Sequence, residues 1–362
     1  MRCITKSNTF QTKAHTIIAI ISNQIFTIPG LCGIIEPTKF IRKRGIGLQS
    51  TILSEHDDHQ WILGIDGGGT KTVFQLTEKN GDIRKTIYKE SSNPNDIGME
   101  NALAILKKGI EEACDGIPYG SVTLFAGISG GGMTGENASV LKRFFGEFGF
   151  YAFDNGSDIE NLIALADHDP CILVIMGTGF IVYARNGKER RRIAGWGQFF
   201  DEGGSGYTIG KDVITSVLCE TDGSGEKTTL SSLLEKRIGE SAEKHLAEFY
   251  RKGKRYIADF ASLAFEAADS GDTIALHILE KNMSFAAQKI ATAIPFCSDD
   301  PSVEIPVFFS GGISKRNDVL FPLLQKHLPA NRCRLILPEE EPIRGAVKRA
   351  ITIFEEKQKG NA

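Results

Sequence analysis

The sequence predicts an α/β protein whose bulk is two lobes of like build facing each other across a cleft. Three observations carry this. A unit of apolar strand, glycine/threonine turn and second strand opens at Trp61 and opens again at Cys171. Segments of helical periodicity and further short apolar strands follow each opening, which is the alternation that builds layered α/β domains. Finally, 19 of the 39 glycines stand in turns after apolar strands, in a chain where roughly 7 per cent glycine overall would be ordinary.

The elements follow in order. Trp61-Ile-Leu-Gly-Ile65 reads as a buried strand, Thr72-Val-Phe-Gln-Leu76 as its neighbour after a tight turn, and 83–89 as a third strand beyond the hairpin signal Asn80-Gly81. Leu103, Leu106, Ile110 and Ala113 recur at helical spacing over 99–113. A strand over 122–126 and a helix over 137–148 complete the first lobe. In the second lobe, Cys171-Ile-Leu-Val-Ile175 and a hairpin through 181–187 precede a mainly helical stretch over 207–294. Pro306-Val-Phe-Phe309, a helix, a strand over 334–337 and a last helix over 343–354 close the chain. The lobes are assigned to 61–168 and 169–355, with the hinge near 165–171 and the last helix returning to the first lobe.

Residues 1–60 stand apart. Their apolar patch, Thr16-Ile-Ile-Ala-Ile-Ile21, is interrupted by Ser22-Asn-Gln24 and followed by basic residues from Lys39 to Arg44. A membrane-spanning helix needs about 20 largely apolar residues, and no clean cleavage pattern follows. The segment is read as an extension outside the lobes, disordered or the product of a misassigned start, with a targeting or interaction segment as the alternative.

Composition removes several function classes. With 42 basic and 45 acidic residues the formal charge is −3, without the basic stripe of a nucleic-acid protein. The 41% of hydrophobic residues suffices for buried cores. The seven cysteines show no CxxC spacing, so reduced thiols in a cytoplasmic protein are expected rather than disulfides or a zinc site.

The chemistry is expected at the glycine turns. Without a Cβ, a strand-end turn lets backbone N–H groups approach an oxygen-rich ligand, and several such turns from distant parts of one chain suggest a polyphosphate between the lobes. The turn Asp66-Gly-Gly-Gly-Thr70 is neither GxxxxGK[ST] nor GxGxxG. Its companions are Gly177-Thr-Gly179 and Ser310-Gly-Gly312, each after an apolar strand.

In that order the three turns resemble those of the sugar kinase, Hsp70 and actin superfamily. Within it the chain resembles the BadF/BadG/BcrA/BcrD ATPase family, N-acetylglucosamine kinase branch. The resemblance is carried by Leu63-Gly-Ile-Asp-Gly-Gly-Gly-Thr-Lys-Thr72, Ser92-Asn-Pro-Asn-Asp-Ile-Gly98, Ala126-Gly-Ile-Ser-Gly-Gly131, Ser157-Asp158, Met176-Gly-Thr-Gly179, Gly195-Trp-Gly197, 201–210, Ser310-Gly-Gly-Ile313 and Pro342-Ile-Arg-Gly-Ala346. It spans about 61–350 and implies two ribonuclease-H-like, actin-like ATPase lobes with a nucleotide cleft between them.

The resemblance also implies roles. Asp66, Gly67, Gly68, Gly69, Thr70 and Lys71 would bind the β- and γ-phosphates of ATP, and Asp66 would hold Mg²⁺ through water. Gly177, Thr178 and Gly179 would cradle the phosphates from the other lobe, and Gly311 and Gly312 would receive the adenosine. Asp158, 20 residues before Thr178, would accept the proton of the sugar hydroxyl, with Asp154 as the second candidate. Ser157-Asp-Ile-Glu160 also reads as a capping box. Asn93, Asn95, Asp96, Ser129, Gly130, Trp196 and Gly197 would line the sugar. The family commonly has GWGxxxGDEGSGY, whereas this chain has Gly195-Trp-Gly-Gln-Phe-Phe-Asp-Glu-Gly-Gly-Ser-Gly-Tyr207. Asp201 and Glu202 are therefore both candidates for the sugar hydroxyls.

The implied function is ATP- and Mg²⁺-dependent phosphorylation of an amino sugar, first among them N-acetylglucosamine to its 6-phosphate, with glucosamine and N-acetylmuramate open. The implied partner is a small-molecule sugar, neither nucleic acid nor membrane, and a homodimer is compatible with it. Two other readings were weighed. One is an ATPase activator of an acyl-CoA dehydratase or reductase, which would hold an iron–sulfur cluster on cysteines. The other is a non-catalytic sugar sensor, whose mark would be the loss of Asp158, Thr70 or Thr178, all of them present.

Overall fold

The computed structural model describes residues 17–21, 24–28, 61–132 and 135–361. The chain divides into two compact units, Met1–Glu55 and His56–Ala362. In the first, β1 (Ile17–Ile21) and β2 (Gln24–Ile28) pair antiparallel, with Ile17 opposite Ile28. The expectations of disorder, targeting or a misassigned start concern parts of 1–60 that lie outside the described residues.

The second unit holds two five-stranded sheets. In the first sheet, β3 (Trp61–Gly67), β4 (Lys71–Glu78) and β5 (Ile83–Glu90) run antiparallel, joined by the glycine turn and the Asn80-Gly81 turn. The chain continues through α1 (Pro94–Ile97) and α2 (Met99–Ala113) to β6 (Val122–Ile128), then through α3 (Asn137–Gly146) to β7 (Ala152–Gly156). β6 and β7 lie parallel to β3, in the order β5-β4-β3-β6-β7.

α4 (Ile159–Leu165) leads into the second sheet, where β8 (Cys171–Met176), β9 (Phe180–Asn186) and β10 (Glu189–Arg192) are again antiparallel. Five helices follow: α5 (Gly206–Asp222), α6 (Leu230–Ile238), α7 (Leu246–Asp259), α8 (Ala261–Asp269) and α9 (Thr273–Cys297). β11 (Ile305–Ser310), α10 (Asn317–His327), β12 (Cys333–Ile336) and α11 (Pro342–Asn361) end the chain. The order β10-β9-β8-β11-β12 repeats that of the first sheet strand for strand, so the lobes have the same plan.

Packing explains the apolar runs. β6 is buried at all seven positions because both faces of its sheet are covered. On one face Leu63, Phe74 and Leu124 pack with Leu106 and Ile110 of α2 and with Leu141 and Phe145 of α3. On the other, Ile62, Val73 and Phe125 pack with Ala346, Val347 and Ala350 of α11. The last helix thus covers the first sheet. Ile159 and Leu162 of α4 pack against Leu173, Tyr183 and Phe308 of the second. Among the described residues no helix is long and apolar enough to cross a membrane.

One strand lies outside the sequence expectations, and one cap differs from them. β7 carries Ala-Phe-Asp-Asn-Gly, without strand periodicity, and forms because β6 offers it a free edge; all five residues stay half-buried. Ser157 forms no capping box. Asp158 is the N-cap residue of α4 and makes no side-chain cap bond, the Ser157 hydroxyl donates to Asp158 Oδ1 at 2.9 Å, and Glu160 pairs with Arg190. A half-buried carboxylate needs that donor more than an exposed helix end does. The capping box of this chain is at α5, between Ser205 and Thr208.

Candidate active site

A cleft of about 1530 Å³ lies between the sheets. Its wall is built from the carboxyl ends of parallel strands: 66–71 beyond β3, 129–132 beyond β6, 157–158 beyond β7, 177–179 beyond β8 and 310–312 beyond β11. Ligands of α/β sheets bind at such ends because the strands stop there and leave turn backbone exposed.

At the base of the cleft Asp66 Oδ1 accepts a hydrogen bond from Asn161 Nδ2 at 2.7 Å. Burial pushes the Asp66 carboxyl up to about 7, the Asn161 bond works against that, and the charge of Asp158 adds to it. Asp158 is also raised, again by burial, against the opposing hydroxyls of Ser157 and Ser129. Two carboxylates at one cleft, both shifted toward neutrality, suit an incoming cation and a proton acceptor. Asp154 ion-pairs with Lys142 at 3.6 Å and does not line the cleft.

The two glycine loops meet: Thr70 Oγ1 lies 3.0 Å from Thr178 Oγ1. The Gly68 amide closes its own turn onto the Lys71 carbonyl at 2.9 Å, and the Gly177 amide does the same onto Gly179 at 2.9 Å. The amides of Gly69, Thr70, Thr178 and Gly179 take no partner among the described residues. These four amides are free to donate to a ligand. The second loop is tied to the start of α5, where Gly206 donates to Gly177 O at 2.7 Å, so the helix dipole points into the cleft.

Beside these loops stands a polar wall. Asn93 Nδ2 donates to Asp96 Oδ2 at 2.7 Å, and Asn93 Oδ1 accepts from the Asn95 amide at 3.0 Å. Asn137, which no motif marked, donates to Asn95 Oδ1 at 3.0 Å and to Gly130 O at 2.9 Å. Across the cleft, the exposed ring of Trp196 lies 4.6 Å from the Arg192 guanidinium. The Gly197 amide donates to Asp201 Oδ2 at 2.9 Å.

Of the residues singled out in the sequence, all but Gly67, Asp154 and Glu202 line this one cavity. Gly67 faces the other way. A Cβ there would come 2.5 Å from Ser92 Oγ, so the position needs glycine for packing rather than for phosphate. Lys71 lines the cleft but its ammonium lies over the Tyr88 ring at 5.4 Å. Of the two carboxylates left open, Asp201 is buried and lines the cleft, while Glu202 is exposed and does not. Asp201→Asn is expected to raise the sugar KM about tenfold and Glu202→Gln to leave it within twofold; steady-state kinetics checks both.

Asn161 was missed. Its signal was an asparagine within the apolar helix Ile159-Glu-Asn-Leu-Ile163, a buried polar group that must find a partner. The described cysteines are free and none lines the cleft. Burial pushes the thiols of Cys114 and Cys297 up to about 12 and those of Cys171 and Cys333 to about 11, the reverse of what thiolate ligands of a cluster need.

The sequence profile of the BadF/BadG/BcrA/BcrD ATPase family matches residues 63–349. The chain belongs to this family. An N-acetyl-D-glucosamine kinase of Dictyostelium discoideum is 29% identical over 295 residues, covering 75% of this chain and 90% of its own length. An N-acetylmuramic acid/N-acetylglucosamine kinase of Clostridium acetobutylicum is 28% identical over 303 residues, covering 80% and 97%. Among solved structures, a Chromobacterium violaceum protein provisionally named an N-acetylglucosamine kinase superposes with a TM-score of 0.63 at 23% identity, over 81% of this chain and 99% of its own. A ROK family glucokinase of Streptomyces griseus, solved with glucose and AMPPNP, gives 0.56 at 16% identity, over 82% of this chain and 99% of its own. The BadF/BadG/BcrA/BcrD chain therefore has the fold of the actin-like sugar kinases.

Proposed function

We propose that this protein is an ATP-dependent amino-sugar kinase that phosphorylates N-acetylglucosamine at its 6-hydroxyl. The observation that carries the reading is one cleft in which two glycine loops touch at Thr70 and Thr178 while a half-buried carboxylate, Asp158, faces the same space. The names of the two curated relatives support it.

In this reading, the amides and hydroxyls of 69–70 and 178–179 hold the β- and γ-phosphates. Gly311 and Gly312 receive the adenosine, and Asn93, Asn95, Asp96, Ser129, Gly130, Trp196, Gly197 and Asp201 receive the sugar. Asp158 accepts the hydroxyl proton as the sugar oxygen bonds to the γ-phosphorus. The bond from that phosphorus to the bridging oxygen breaks, and its electron pair leaves with ADP. A base works best when its pKa lies near the working pH, and burial moves Asp158 in that direction.

Among the described residues no group of three or more His, Cys, Asp or Glu could hold a metal. A single carboxylate fits Mg²⁺, which usually keeps several waters and leans on substrate phosphates. Asp66 would hold it, because a half-buried carboxylate pushed up to about 7 gains most from a nearby dication. When bound, Mg²⁺ would supply neutralisation of phosphate charge. The cytoplasm, where ATP and Mg²⁺ are at hand, is the compartment this reading implies.

Phosphorus–proton correlation NMR of the product tests the assignment. The phosphorus should couple to the two C6 protons of N-acetylglucosamine. Coupling to the anomeric proton, or no sugar phosphate at all, would contradict it.

A further inference from the structure

Lys254 belongs to no motif of the sequence, yet its placement is specific. It stands on α7 one residue after a break: Gly253 has φ 68° and ψ −155° inside the helix, a backbone conformation costly for any residue with a Cβ. From there the ammonium reaches across to the other lobe, 3.6 Å from Asp96 Oδ1, with about a quarter of the side chain exposed (23%). It also lies 3.9 Å from the point a Cβ on Gly179 would occupy. The matching point on Gly69 is 3.6 Å from both Asp96 Oδ2 and Thr178 Cβ. Lys254, Asp96, Gly69, Thr178 and Gly179 thus enclose one small volume where the two phosphate loops meet.

The other lysines of the cleft are committed elsewhere. Lys71 lies over Tyr88, and Lys315 pairs with Glu341 at 3.2 Å. Phosphoryl transfer spreads negative charge over three equatorial oxygens and needs a cation beside them. A lysine on a flexible stem can trade one anionic partner for another without changing its protonation.

We propose that Lys254 binds the phosphoryl group in transfer, exchanging its ion pair with Asp96 for the γ-phosphate when ATP enters. The exchange frees the Asp96 carboxylate for a sugar hydroxyl, so nucleotide prepares the sugar site. This rests on the kinase reading. The bonds made and broken are those given above, and Lys254 contributes charge while keeping its proton.

Calorimetric titration with ADP and with AMPPNP, both with Mg²⁺, tests the assignment without turnover. Lys254→Gln should weaken AMPPNP at least about tenfold, leave ADP within twofold, and lower kcat about 100-fold. Asp96→Asn, which releases the ammonium, should tighten AMPPNP about threefold or more with ADP unchanged. Lys252→Gln serves as control: Lys252 pairs with Glu248 and stacks on Tyr256 outside the cleft, and nothing should change. Equal weakening of ADP and AMPPNP in Lys254→Gln, or no change of AMPPNP in either cleft variant, overturns the proposal. If wild type binds AMPPNP but phosphorylates no sugar, the kinase reading fails, and the ADP/AMPPNP comparison still decides the role of Lys254.

Discussion

Asp158→Asn is expected to lower kcat for sugar phosphorylation by roughly 10³-fold, within the range that positioned general bases contribute, with nucleotide affinity within twofold of wild type. The amide keeps the shape and can still accept from Ser157, but it cannot take a proton. Coupled turnover and calorimetric nucleotide binding, measured on the same preparation, separate the two effects. The pH profile adds a sign. Because burial raises the Asp158 carboxyl, wild-type kcat/KM should fall as pH drops through that raised value, since the base is then occupied. Full turnover in Asp158→Asn would remove it from the chemistry.

Asp66→Asn should have the second largest effect, and in two opposite directions. Turnover should fall about 10²-fold or more, since the residue proposed to hold Mg²⁺ loses its charge. Stability of the empty protein should rise at alkaline pH. The folded-state carboxyl is raised from 3.8 to about 7, so the folded protein binds a proton that the unfolded chain has released. That contribution is fully present below about 4 and is lost as pH rises through about 7. A shift of this size is worth at most about 4 kcal/mol, and the open cleft reduces it to about half. Asparagine does not ionise and escapes the loss. At pH 8 the variant should melt roughly 4 °C above wild type, with the two converging near pH 4, and added Mg²⁺ and ATP should stabilise wild type more. Equal melting points at pH 8, with equal gains from nucleotide, would contradict the role of Asp66.

The loops were legible and their neighbours were not, for a physical reason. Turns that approach phosphate must be glycine-rich whatever surrounds them, so 66–71, 177–179 and 310–312 announce themselves, and the structure gathers them at the carboxyl ends of β3, β8 and β11. Lys254, Asn161 and Asn137 reach the site through the fold rather than the sequence: Lys254 is 158 positions from Asp96 and meets it from just after the break at Gly253 in α7. Gly67 lies outside the cleft lining. Side chains alternate along β3, so with Asp66 facing the cleft, Gly67 must face Ser92 and Ile128. Lys71 begins β4, where Tyr88 of β5 offers its ring diagonally. β7 could not be read at all, because an edge strand half in solvent carries no apolar period. Asp201 is buried and lines the cleft while Glu202 is exposed, a difference that two adjacent carboxylates in a glycine-rich loop do not reveal in sequence.

The central claim is that one cleft brings the phosphates of ATP to a sugar hydroxyl beside Asp158. The most direct measurement is ADP release, coupled to NADH oxidation, with Mg²⁺ and ATP and with N-acetylglucosamine, glucosamine, N-acetylmuramate or glucose in turn. N-acetylglucosamine should raise the rate of ADP release at least about 100-fold over ATP alone, and Asp158→Asn should abolish the increase. No stimulation by any of the four sugars would contradict the account.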